Sequence, residues 1–289
     1  MRKKILITGA TGNVGFETIK SLLNMDPEFE ILAGVRDVEK EKNRFLGMNV
    51  TRVSFDFEKK ETFANALKGI SVMFLLRPPQ LADAKKYFQP LVDAAKVALV
   101  EHIVFLSVQG AGTNTIIPHY KIEQIIKQSG IPFTFLRPAY FMQNFLTTLK
   151  KDLAEKNEIY LPAGKAKFTI VDLVDVGDVG ARILLVPANH KNQAYDLTNQ
   201  EVLTFGEMAD QLTTVLGKKI TFKSPNLVSF FFRKRRDGVA SMFILVLIML
   251  HFLPRFSATP EVSNSIEGIL GRASGTFKDF LKREKNNLT

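Results

Sequence analysis

The segment KKILITGATGNVG, Lys3–Gly15, constrains the fold more than any other stretch of the chain. An apolar run, Ile5–Ile7, breaks into Gly9, Gly12 and Gly15, and an amphipathic pattern with Val14, Ile19, Leu22 and Leu23 on one face follows at once. A strand, a turn almost free of side chains and a helix, in that order, aim backbone N–H groups at one point, which the helix dipole makes attractive to an anion. Gly9 then permits the tight turn, Gly12 lets a pyrophosphate approach the main chain, and Gly15 lets the helix lie close to the sheet. The glycine triplet alone would read as an ordinary turn. The strand before it and the helix after it make it a dinucleotide cradle.

The same alternation continues. Ile5–Thr8, Ile31–Val35, Thr51–Phe55, Ser71–Leu76, Ile103–Ser107 and Phe133–Leu136 read as strands, and helical patterns such as Tyr87, Leu91, Val92 and Ala95 lie between them. Strands that alternate with helices join as right-handed crossovers in a parallel sheet. The expected fold is therefore α/β, a Rossmann-type doubly wound parallel sheet with a smaller mixed C-terminal substrate lobe. Residues 1–150 are assigned to the dinucleotide-binding domain and 151–289 to the smaller substrate-cleft or lid lobe, with part of 169–200 returning to the sheet domain. In the lobe, Thr204 and Glu207 are spaced as a capping box, and Gly217 marks the helix stop.

Composition removes several chemistries. The chain has no cysteine, which excludes disulfides and thiolate catalysis and fits a reducing compartment. Its four histidines, 102, 119, 190 and 251, have no helical ligand spacing, so no metal is expected. The N-terminus lacks the apolar region of a signal peptide, and a cytoplasmic location is expected. The formal charge of +10 names no partner by itself, and no nucleic acid is expected. The basic run Arg233–Arg236 reads first as a solvated helix end. Val239–Leu253 is too short to span a bilayer and is expected to be a buried lid helix beside the substrate cleft. Membrane contact through 230–253 stands second.

Selectivity is sought after the second strand, where a carboxylate would meet a ribose diol. Arg36 stands there, and its planar fork suits a 2′-phosphate. NADP(H) is therefore the expected cofactor, with NAD(H) open because Asp37 could take the ribose instead. Asp56 and Phe57, after the third strand, are candidates to bracket the adenine, Asp56 having a turn cap as its alternative. Ser107 lies at the tip of the fifth strand, where open α/β sheets place ligand contacts.

Thr8–Gly15, Arg36, Phe74–Pro79, His119–Glu123, Ser129–Pro138, Phe141–Asn144, Val174–Asp178 and Gly271–Phe280 together resemble the NmrA-like family of atypical short-chain dehydrogenases/reductases. The resemblance spans nearly the whole chain. It implies a dinucleotide site that adds Thr11, Asn13, Val14, Leu76, Arg77, Pro78, His119 and Pro138 to the glycines, and a small-molecule acceptor. The Tyr-x-x-x-Lys pair of typical short-chain reductases is absent: by register His119 takes the lysine's place, and the tyrosine's place falls near Thr115. Quinones and azo or triphenylmethane dyes accept hydride with little acid assistance, so reduction of such acceptors survives that absence. His119, Tyr140 and Asn144 are the candidates to position nicotinamide and acceptor, with Phe141 as a further wall. The competing reading is a dinucleotide-sensing regulator without turnover.

Overall fold

The computed structural model describes residues 3–25 and 29–288, which form two compact units. The first comprises Met1–Ala139, Leu173–Leu197 and Ser265–Ala273. Its sheet has seven strands: β1 Lys4–Ile7, β2 Glu30–Val35, β3 Thr51–Ser54, β4 Val72–Leu76, β5 His102–Leu106, β6 Phe133–Pro138 and β7 Gln193–Leu197. Their order is β7-β6-β5-β4-β1-β2-β3, and every neighbouring pair is parallel. Thr8, Phe55 and Ser107, expected as strand ends, lie one residue beyond β1, β3 and β5. The order reverses between β1 and β4, and in open α/β sheets ligands bind outside the strand ends at that switch point.

The strands are apolar on both faces because both faces are covered. Ile5, Leu6 and Ile7 are fully buried, and all five residues of β4 are buried. Four helices supply cover: α1 Asn13–Met25, α2 Gln89–Val97, α3 Pro118–Ser129 and α4 Leu173–Leu185. Pro118 at the first turn of α3 and Gly130 in the left-handed conformation after it set that helix's two ends. α1 and α4 come unusually close, since a Cβ on Gly177 would stand 3.0 Å from Glu17 Cγ. Ser21 and Arg272 both bond Asp178, at 2.7 and 2.6 Å, and Arg272 also holds Asp175 at 2.7 Å.

The second unit comprises Tyr140–Asp172, Thr198–Asn264 and Ser274–Thr289. The boundary expected at residue 150 thus falls inside it. Lys167–Val171 is its central strand, antiparallel to Val202–Thr204 and parallel to Tyr140–Phe141. Phe145, Phe205, Phe277 and Phe280 are fully buried in its core. Helix α5, Phe205–Leu216, starts at the capping box of Thr204 and Glu207 and stops at Gly217 in the left-handed conformation.

Two expectations are corrected here. The basic run closes helix α6, Leu227–Arg236, but it is not uniformly solvated. Phe230 and Lys234, one turn apart, face inward, and Lys234 meets Asp152 at 2.5 Å while Arg233 bridges Asp152 and Glu158. Only Arg235 and Arg236 are exposed. Helix α7, Ser241–Phe252, is not a buried lid: Ile244, Leu247 and His251 are its only buried residues. A helix apolar all round ordinarily reads as buried, and no polar face in its sequence warned otherwise. Among the described residues, no helix is long and apolar enough to cross a membrane.

Candidate cofactor site

After β1 the chain turns through Gly9 at φ +59°, and the Gly12 N–H donates to the Gly9 carbonyl at 2.9 Å. Thr8 fastens the turn to β4. Its hydroxyl donates to Phe74 O at 3.2 Å and accepts from the Leu76 N–H at 2.9 Å. Thr8 had no role assigned from the sequence; its signal was a hydroxyl ending an apolar strand. A Cβ on Gly15 would stand 2.5 Å from Gly9 O and 3.1 Å from Ala10 Cα, so only glycine lets α1 begin this close to the turn. Val14 is buried, Thr11 half-buried, and Gly12 and Asn13 are exposed. No acidic side chain occupies the first turn of α1. A helix start preceded by a glycine and free of acidic side chains in its first turn fits a pyrophosphate.

Arg36 is exposed directly after β2. Asp37 beside it is committed locally, its Oδ1 accepting from the N–H groups of Glu39 at 3.1 Å and Lys40 at 3.0 Å. Asp56 likewise accepts from the Glu58 N–H at 3.0 Å, which makes it a turn cap. The Phe57 ring belongs to the core, 4.9 Å from Phe55 and 5.2 Å from Phe88 between centroids. A ring contact with adenine is therefore withdrawn for Phe57, and its main chain is what remains available.

Beyond β4, Leu76 lies beneath the turn, its Cβ 3.4 Å from where a Gly9 Cβ would be. Arg77 folds back on its own loop, donating to the carbonyls of Pro78, Pro79 and Leu81 at 3.0–3.2 Å. Its Nε also donates to His119 Nε2 at 3.3 Å. Burial, with the Arg77 charge adding to it, pushes the His119 imidazole down to about 3. His119 is thus neutral at ordinary pH, with Nε2 accepting and the proton on Nδ1. The structure brings Leu76, Arg77, Pro78 and His119 together as one wall built from the ends of β4 and α3.

Ser107 is buried, and its Oγ donates to Glu123 Oε1 at 2.7 Å. Glu123, fully buried on α3, also takes both arms of Arg137, from Nε at 2.9 Å and Nη2 at 2.6 Å. Gly112 leaves room for that guanidinium, since a Cβ there would lie 2.8 Å from Arg137 Nη1. Ser107 is therefore tied into a buried network. Glu123 and Arg137 were quoted in the sequence motifs but given no role; their signal was a carboxylate between Ile122 and Ile126 on an apolar helix face. Pro138 ends β6, buried, and its carbonyl accepts from the Gln109 N–H at 3.0 Å.

Within the second unit, Tyr140 and Asn144 come together with a residue absent from the sequence-based site, His251. The His251 Nδ1 lies 2.7 Å from the Leu247 carbonyl and must donate to it, which leaves Nε2 to accept from the Tyr140 hydroxyl at 3.3 Å. Burial raises the Tyr140 phenol above its ordinary range, against a hydrogen bond from Asn144 that works the other way. Burial, helped by the Lys234 charge, lowers His251 to about 4. The Tyr140 ring packs against Phe168 and Phe205 at 5.9 and 5.7 Å. Asn144, Tyr140 and His251 form one polar chain through an aromatic cluster, and the phenol stays protonated at neutral pH.

Known proteins agree with this architecture. A profile of the NmrA-like family matches residues 1–233. The (4-alkanoyl-5-oxo-2,5-dihydrofuran-3-yl)methyl phosphate reductase of Streptomyces griseus is 32% identical over 285 residues, 96% of each chain. The NAD(P)H azoreductase of Xenophilus azovorans is 28% identical over 282 residues, again 96% of each. Among solved structures, the Citrobacter sp. triphenylmethane reductase complexed with NADP(H) superposes with a TM-score of 0.86 at 26% identity, covering 96% of this chain and 99% of that one.

Proposed function

Since the chain belongs to the NmrA-like family, we propose that it is a cytoplasmic NAD(P)H-dependent reductase of quinone-like or otherwise conjugated small acceptors, with NADPH the preferred donor. The observation that carries the reading is the turn at Gly9–Gly15, where the 2.5 Å approach of a Gly15 Cβ to Gly9 O leaves an open helix end that only a glycine sequence can build. The azoreductase and triphenylmethane reductase relatives support the acceptor class. Bound there, a reduced nicotinamide dinucleotide supplies hydride.

The chain's own residues bind and orient. The amides of Thr11, Asn13 and Val14 hold the pyrophosphate, the Gly12 N–H being spent on the turn, and Arg36 takes the 2′-phosphate, the more so because Asp37 is committed to its own turn. His119, uncharged and fixed by Arg77, presents only its Nδ1–H, a hydrogen-bond donor for orientation and a poor acid. In the second unit Tyr140 and Asn144 offer an aromatic face and an amide to a planar acceptor. Acceptors with delocalised π-systems need no strong acid, which suits a site whose titratable groups are held neutral.

The test is NADPH oxidation followed at 340 nm with a panel of benzoquinones, naphthoquinones, azo dyes and triphenylmethane dyes, alongside NADPH binding without acceptor. Sustained turnover with at least one acceptor is expected. Tight binding with no turnover on any of them would replace the reductase with a dinucleotide-sensing regulator.

A further inference from the structure

Helix α7 is apolar on the side that faces water. Ile244, Leu247 and His251 turn inward, whereas Met242, Phe243, Leu245, Val246, Met249 and Leu250 are exposed. No Lys, Arg, Asp or Glu occurs in the helix. A surface helix ordinarily sets polar residues opposite its buried stripe. The exposed apolar surface continues through Leu253 and Phe256 after the helix and Phe232 on α6 before it. Of the seventeen large apolar side chains exposed among the described residues, ten fall within 228–256. Apolar exposure this concentrated marks a contact surface.

Charge identifies the partner. Arg235 and Arg236 stand exposed before α7. Arg255 stands exposed after it and shares with Lys165 and Lys167 an open cavity of about 550 Å³ whose lining contains no carboxylate. Asp237 is the only acidic residue between 224 and 260. Arg233 and Lys234 are already matched by Asp152 and Glu158, and Lys167 faces Glu207, so Arg235, Arg236, Arg255 and Lys165 are the cations most available to a partner. Two copies meeting through this patch would bring the same cations face to face, a repulsive arrangement. With twelve residues α7 is about 18 Å long, well short of a hydrocarbon core of roughly 30 Å. We propose that α7 docks the protein onto an anionic lipid bilayer. The helix lies along the interface with its exposed side chains among the acyl chains, and Arg235, Arg236 and the Arg255 cavity sit at the lipid phosphates.

Vesicle flotation of the intact protein tests this, using phosphatidylcholine alone and phosphatidylcholine mixed with phosphatidylglycerol. The protein should float with the mixed vesicles, less so as salt screens the surface charge, and should stay behind with the neutral ones. Leu245→Glu/Met249→Glu should abolish flotation with an unchanged melting temperature, because both side chains are already exposed. Arg235→Gln/Arg236→Gln should lower the partition coefficient about thirtyfold, at roughly a factor of five per basic residue. Failure of the wild-type protein to float with anionic vesicles overturns the proposal. So does undiminished flotation of Leu245→Glu/Met249→Glu, and so does a lipid-independent dimer that this variant disperses, which would make a second copy the occupant.

Discussion

Gly12 and Gly15 sit three residues apart and face opposite demands, which single substitutions can separate. A Cβ on Gly15 meets Gly9 O at 2.5 Å with backbone on every side, whereas a Cβ on Gly12 meets the same oxygen at 3.2 Å and otherwise points outward. Gly15→Ala should therefore cost about 1–3 kcal/mol of stability through overpacking and weaken the dinucleotide as a consequence. Gly12→Val should leave the melting temperature nearly unchanged and still cut NADPH affinity more than about tenfold, because the obstruction lies in the ligand's path. Thermal melts paired with NADPH titrations check both, and a Gly12→Val protein that binds normally would place the pyrophosphate elsewhere. On the proposed reading, Arg36 carries the selectivity. A hydrogen bond to a charged group contributes roughly 1.5–3 kcal/mol, so Arg36→Ala should lose about ten- to hundredfold in NADPH affinity and almost nothing for NADH. Equal losses for both cofactors would show that Arg36 does not read the phosphate. His119→Ala should slow quinone reduction by less than the ~10²-fold of a lost general acid, since the imidazole is already neutral.

Between elements, the buried carboxylate of α3 is the joint that ties it to β5 and β6. Glu123 is fully buried and satisfied by Ser107 and Arg137. Removing one partner of such a group leaves an uncompensated charge, so Glu123→Ala should destabilise by about 3–5 kcal/mol. Glu123→Ala/Arg137→Met should cost less than the sum of its singles in urea unfolding; strict additivity would mean the pair is not coupled. Elements of this kind also show where sequence runs out. β1 to β6 were legible because a continuous apolar run bounded by turn residues has few other uses, and Thr204 with Glu207 announced a helix start by local hydrogen bonding alone. Partnership across elements leaves no such mark. Arg233 and Lys234 look like Arg235 and Arg236 in a list, and only the helical phase relative to Phe230, together with Asp152 some eighty residues away, divides them. The apolar run of α7 could not reveal its exposure, because a sequence with no polar face gives no direction. Asp56 was readable both as a ligand contact and as a turn cap, and the Glu58 N–H bonded to its Oδ1 shows the cap.

At the scale of the whole molecule, histidine burial predicts acid sensitivity well above the carboxylate range. His102, 3% exposed and bonded to Thr134 Oγ1 at 2.8 Å, is lowered to about 4 by burial and then by the nearby His190 and Lys191. His251, 1% exposed, is lowered to about 4 as well. One lies in each compact unit. An unfolded histidine titrates near 6.5, so between that pH and about 4 the unfolded chain binds protons that the native chain refuses. Stability must then fall as pH falls, with the loss starting near 6.5 and complete near 4. Each of these two groups loses roughly 2 kcal/mol by pH 5 at about 1.4 kcal/mol per unit, a sizeable part of a domain's usual ~5–15 kcal/mol. His119, half-buried, adds to the same direction. Asp152 acts lower on the scale: burial opposes its charge, but Lys234 and Arg233 outweigh burial and hold it below the ordinary carboxylate range. Its contribution persists at pH 5 and disappears only as pH drops through that lowered value. Urea midpoints at pH 7.5 and 5.0 should therefore differ clearly, and His102→Gln should reduce the pH dependence of the first unit, where His119 still contributes, while leaving that of the second intact. Superimposable unfolding curves at the two pH values would mean that neither imidazole is held neutral in the folded protein.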